Sequence, residues 1–267
     1  MIAEDAQPSA HEWEPQHRSG TTPDTLRTPA VDPPAGTTSR LTSGQTTASL
    51  EGGVEQAAAA LKPRMRGWLH AGMFPLSLAG GIVLIALSRS AAAVAACSVF
   101  AVSALLLFGT SGVYHRGTWG PRGEAVLRRL DHANIFLIIA GTYTPLAMLL
   151  LSAGQQLGLL SLVWAGAAAG IAFRVWWIRA PRWLYTLCYI ALGWAAVFYL
   201  PDFARTGGTP VVVLIITGGL LYTAGAVVYG LKRPDPSPRW FGFHEVFHTL
   251  TIAAFTAHYT AVFLVAT

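Results

Sequence analysis

The chain has 267 residues, 53% of them hydrophobic and only 12% charged, with a mean hydropathy of +0.46. These proportions exclude an ordinary soluble globular domain and point to lipid as the solvent. Only two cysteines occur, Cys97 and Cys188, each inside an apolar run. That excludes a disulfide scaffold and argues against a thiolate metal cluster.

Charge divides the chain in two. Residues 1–60 hold three Arg and eight acids, net −5, whereas residues 61–267 hold thirteen Arg, two Lys and five acids, net +10. The basic surplus lies in short loops between apolar runs, where it reads as a topology signal rather than as a nucleic-acid surface. Residues 1–60 are rich in Pro, Thr, Ser, Gly and Ala without a sustained apolar period, and are expected to form a disordered cytoplasmic tail. Their opening is acidic and polar, so no cleavable signal peptide is expected and the first hydrophobic helix would do the targeting.

From Trp68 onward seven apolar runs follow, near 68–88, 91–114, 132–151, 157–178, 183–200, 209–231 and 243–266. Each can cross a ~30 Å hydrocarbon core as a helix, the geometry that satisfies its own backbone in lipid. The expected fold is therefore an all-α integral membrane protein, with a seven-helix transmembrane domain over residues 61–267. If the runs alternate in direction, thirteen Lys and Arg fall on one side and two, Arg89 and Arg205, on the other. The positive-inside rule then puts the N-terminus in the cytoplasm and Thr267 outside. Neither Lys lies within a run, so a retinal Schiff base has no residue to form on.

Ionisable groups at membrane depth are costly, and six of the eight His lie in this region. With the topology above, His115 ends the second span, Asp131 and His132 begin the third, and His244, Glu245 and His248 begin the seventh, all at the cytoplasmic level. His70 opens the first span at about the same depth. The i, i+4 spacing of His244 and His248 puts both imidazoles on one helix face, so both can meet one ion. His115 is the candidate third ligand. Three imidazoles with an open fourth position are a catalytic zinc pattern, and the lack of a carboxylate ligand favours zinc over iron or manganese. Any one of these His alone reads equally as an interfacial residue bonded to a headgroup or carbonyl.

Asp131 can hold and deprotonate a water beside such an ion, or can pair with Arg128 or Arg129. Ser111 stands one turn below His115, and its alternative is a bond back to its own helix. The stretch His244 to His248 also matches H-E-x-x-H, with Glu245 as general base, which keeps an intramembrane metalloprotease open. Trp68, Trp183, Tyr185 and Trp240 read as an interfacial aromatic belt. Gly80-Gly81 and Gly218-Gly219 read as sites of close helix packing.

The runs Ser111-Gly-Val-Tyr-His115, Leu130-Asp131-His132 through Thr144-Pro145, and His244-Glu-Val-Phe-His248 resemble the hemolysin III branch of the progestin and adiponectin receptor family. The opening Lys62 to His70 is similar to its bacterial members. The likeness covers residues 62–267. It implies a seven-helix bundle with a cytoplasmic N-terminus in a bacterial plasma membrane, zinc (Zn2+) held by His115, His244 and His248, Asp131 positioning the zinc-bound water, and Ser111 nearby. Glu245 occupies a position the family does not fix. The family further implies hydrolysis of lipid amides such as ceramide, so the expected activity is a zinc-dependent lipid amide or ester hydrolase with a membrane lipid as substrate. The alternatives are a membrane-homeostasis or sensor protein with structural zinc and, on the family name alone, a pore-forming haemolysin.

Overall fold

A computed structural model describes residues 63–177 and 181–267. The tail read at residues 1–60 lies outside the described residues. These form α-helices and no β-strand: α1 Trp68–Leu87, α2 Ala91–Arg116, α3 Pro121–Leu150, α4 Ala153–Trp176, α5 Arg182–Gly193, a 3-10 segment Trp194–Tyr199, α6 Leu200–Leu231 and α7 Phe243–Ala266.

Six helices are long and apolar enough to cross a membrane, one of them the unbroken helical stretch Trp183–Leu231. The two runs read at 183–200 and 209–231 both fall in that stretch. It is not a straight rod, because the Trp194 indole donates to the Thr223 hydroxyl, 29 residues on, at 3.0 Å. The bend has a local cause. Gly208 holds φ 80°, ψ 171° inside α6, a left-handed backbone that only glycine adopts freely, and Pro210 follows without an N–H to give.

Helix starts carry the expected chemistry. The Ser90 hydroxyl accepts from Ala93 N–H at 3.1 Å ahead of α2, and Pro121 opens α3 where a missing N–H costs nothing. From that start α3 runs through the basic segment Arg122–Arg129, in which Arg, Glu, Ala and Leu are good helix formers and outnumber Gly123 and Val126, so the helix begins eleven residues before the apolar run at 132.

In α3 the apolar stretch is 72% buried, against 22% in α1 and α4, which makes it the axis of the bundle. It packs on α2, α4, α5, α6 and α7, while α7 in turn touches α1, α2, α3 and α6. Phe108 and Phe100 of α2 meet Phe255 of α7 at 5.1 and 5.5 Å. Close approach rests on small residues: Gly81 faces Ala101, and Gly112 faces the backbone of Ala71. Large apolar side chains such as Leu76, Ile82 and Leu157 point outward, a poor surface for water and a good one for acyl chains.

Trp68, Trp183 and Trp240 are more than half exposed, but Tyr185 is not part of that belt. It is buried beneath the Arg174 guanidinium at 4.5 Å. A buried Arg needs an internal partner for its charge, and the aromatic face supplies one that the linear pattern did not disclose.

Gly208→Ala is expected to lower the unfolding free energy by about 1–2 kcal/mol, the cost of holding an L-residue in the left-handed region. Gly193→Ala, at a helical position with open space, is expected to raise it by about 0.5 kcal/mol. Denaturant titration in micelles, followed by circular dichroism, reads both.

Candidate metal centre

The packing of α7 against α2 brings the end of one to the beginning of the other. His115 occupies the last turn of α2, and His244 and His248 the first turns of α7, stacked one turn apart on the same face. The ring centroids are 4.7 Å apart for His115 and His244, 5.4 Å for His115 and His248, and 4.4 Å for His244 and His248. One ring nitrogen from each lies within 4.8 Å of the other two. His115 and His244 approach closest, Nε2 to Nε2 at 3.1 Å.

This donor set fits a zinc ion. Tetrahedral zinc with bonds of ~2.0–2.1 Å sets its nitrogens about 3.3 Å apart, close to the spacing of the nearest pair. The ligand atoms are soft enough for zinc, half-buried or buried, and on rigid helices.

Asp131 projects from α3, and its Oδ2 lies 3.8 Å from His115 Nε2. Among the described residues it forms no ion pair with Arg128 or Arg129. Ser111, itself buried, lines the same cavity as Asp131. Other serines in these helices bond back to their own backbone, Ser77 to Phe74 O at 2.8 Å and Ser103 to Phe100 O at 2.7 Å. All five residues singled out in the sequence therefore lie in one cluster.

Two neighbours lie outside the proposed ligand set: His70, given no role in the sequence, and Glu245, read there as a general base. His70 of α1 is buried and lies flat on His248, with centroids 3.7 Å apart and planes 9° apart. Neither of its ring nitrogens has a hydrogen-bond partner among the described residues. Its position at the depth of the other His was the only linear signal. Glu245 is 1% exposed, with one oxygen held by Arg66 Nε and the other by Gly242 N–H at 2.8 Å. Its carboxylate caps α7 and answers Arg66, an arrangement that leaves it no free oxygen for the base role of an H-E-x-x-H motif.

Residues 63–67 bind the site from outside. Arg64 N–H donates to Arg239 O at 3.0 Å and Met65 N–H to Trp240 O at 3.2 Å. Gly67, at φ 81°, passes so close to His115 Cβ that no side chain fits.

Ser111, Asp131, His244 and His248 form one end of a cavity of about 140 Å³, otherwise walled mainly by apolar side chains of α3, α5, α6 and α7. His132 lines it too, with Nδ1 at 2.7 Å from Arg128 O and Nε2 at 3.3 Å from the Tyr229 hydroxyl.

The profile of the family described as "Haemolysin-III related" matches residues 58–259. "Hemolysin-3" of Bacillus cereus is 34% identical over 140 residues, which cover 52% of this chain and 64% of that protein. "Hemolysin-3 homolog" of Bacillus subtilis (strain 168) is 32% identical over 164 residues, 61% of this chain and 76% of that protein.

Arg66→Met strands the Glu245 carboxylate in a dry setting and is expected to cost about 3 kcal/mol of unfolding free energy. The double variant Arg66→Met, Glu245→Met is expected to recover most of that loss. A double-mutant cycle measured in micelles with a coupling near zero would show that the pair does not interact.

Proposed function

Because this chain belongs to the Haemolysin-III related family of membrane proteins, we propose that it is a zinc-dependent integral membrane hydrolase acting on a lipid amide or ester. The observation that carries the proposal is the convergence of His115, His244 and His248 beside Asp131 at one end of an apolar cavity.

Seven membrane passes accompany this reading. The helical stretch Trp183–Leu231 has 49 residues, which at ~1.5 Å each would extend roughly 73 Å, more than twice a hydrocarbon core. Its fold-back through Trp194 and Thr223 supports two passes that reverse near Gly208. With the basic loops inside, the N-terminus and the His cluster face the cytoplasm and Thr267 faces out.

Zinc, when bound, supplies a Lewis acid for the scissile carbonyl and acidifies a water at neutral pH. The chain supplies the rest. His115, His244 and His248 hold the ion from two helices whose packing fixes their spacing. Asp131 takes the proton from the attacking water and returns it to the leaving group. Ser111, lining the same cavity, offers a hydroxyl to the developing oxyanion. The apolar cavity walls take the acyl chain and keep bulk water from the reacting carbonyl. Basic side chains at the same end, including Arg64 and Arg116, attract anionic headgroups.

A second reading, structural zinc in a non-catalytic homeostasis protein, draws support from the way the cluster ties α2 to α7. Asp131 separates the two, since it is a neighbour of the cluster rather than a member.

Purified protein is expected to hold one zinc per chain, lost in His115→Ala, His244→Ala and His248→Ala. Asp131→Asn is expected to keep the zinc and lower turnover of a ceramide or lysolipid panel by about 10²–10⁴-fold. Metal analysis beside lipid mass spectrometry reads both. Full turnover by chelated protein or by the Asp131 variant would remove the hydrolase reading, and undiminished metal in all three His variants would remove the site.

A further inference from the structure

The far end of the cavity holds a polar pair that the proposed chemistry does not use. His258 stands ten residues beyond His248 on α7, roughly 15 Å along the helix. Tyr222 of α6 faces it with ring centroids 5.6 Å apart, and both side chains line the cavity. Room for the imidazole comes from Gly218 on α6, where any side chain would run into the His258 ring.

The hydrogen-bonding capacity of the pair follows from its neighbours. His258 Nε2 lies 3.1 Å from the Ile215 carbonyl oxygen. A carbonyl only accepts, so Nε2 carries the hydrogen. A neutral ring, the form favoured at membrane depth, then leaves Nδ1 as a bare acceptor. Neither Nδ1 nor the Tyr222 hydroxyl has a hydrogen-bond partner among the described residues, and both atoms are shut off from solvent. Two such atoms on neighbouring rings that line an apolar cavity are costly unless a guest answers them.

We propose that Tyr222 and His258 form a hydroxyl-binding subsite, and that the lipid entering this cavity carries a hydroxyl partway along its apolar chain. The hydroxyl donates to His258 Nδ1 and accepts from the Tyr222 O–H. A methylene satisfies neither atom, and a ketone satisfies only the tyrosine. A site built around a hydroxyl rejects the chain that lacks it, because its own polar atoms then stay unpaired. The inference rests on the lipid-binding reading above and narrows its substrate class to hydroxylated acyl chains.

The test is equilibrium binding to full-length protein in micelles of ricinoleic acid, which carries one mid-chain hydroxyl, and of oleic acid, the same chain without it. Wild-type protein is expected to prefer ricinoleic acid by about tenfold. Tyr222→Phe and His258→Leu are each expected to bring the ratio near one, leaving the affinity for oleic acid within about twofold. Equal affinities in wild type, no binding of either acid, an unchanged ratio in both variants, or an equal loss of both acids in the variants overturns the subsite. The ratio needs no turnover and is read on chelated protein as well, so it stands or falls apart from the hydrolase. Turnover without a hydroxyl preference would sink the subsite and leave the hydrolase standing.

Discussion

A polar side chain inside an apolar helix bundle has no water to turn to, so its partner must come from the protein or from something the protein binds. That constraint organises one end of this molecule. Glu245 is answered by Arg66 and by the N-terminal amide of its own helix. Asp131 faces His115. Arg174 lies over Tyr185. His115, His244 and His248 lie against one another, and three imidazoles with nitrogens a few ångströms apart make a good cation site. The packing of α7 against α2 is the scaffold that this grouping requires.

The centre was legible in the sequence to the degree that it is local. An i, i+4 pair lies on one helix face whatever the surroundings, so His244 and His248 could be joined from spacing alone. Adding His115 needed only membrane depth, which the alternation of basic loops and apolar runs supplies. Partners set by lateral packing were beyond reach. Arg66 and Glu245 are 179 positions apart, and no periodicity connects them, so Glu245 was open to an H-E-x-x-H reading. Tyr185 looked interfacial because its distance from a span end is a linear property and its burial under Arg174 is not. Helix number shows the same limit. Two apolar runs divide cleanly in the linear pattern, whereas the backbone between them stays helical apart from a 3-10 turn and one glycine.

The cavity joins two kinds of information that hydropathy averages away. Its walls come from faces of several helices, each contributing positions that an apolar window counts alike whether they meet lipid, protein or an internal space. Polar residues along it, Ser111 and Asp131 at one end and Tyr222 and His258 at the other, are few enough to leave the helices hydrophobic overall. Polar wall positions of this kind can orient a guest, since apolar contact alone fixes depth but not rotation.

The segment before α1 belongs to the centre as much as the helices do. Gly67 passes against His115 Cβ in a left-handed conformation, Arg66 grips Glu245, which sits between His244 and His248 in the chain, and Arg64 and Met65 bond to the backbone ahead of α7. Gly67 and Arg66 thus touch the two helices that carry the imidazoles, and Arg64 and Met65 hold the loop ahead of α7. Any displacement of that segment acts on the spacing of His115 from the His244 and His248 pair, because the same contacts set the approach of α2 to the start of α7. A side chain at position 67 would push on one helix directly, and loss of Arg66 would loosen the first turn of the other. The geometry of the centre is therefore decided from outside the membrane stretch as well as within it, by contacts none of which is itself a candidate ligand.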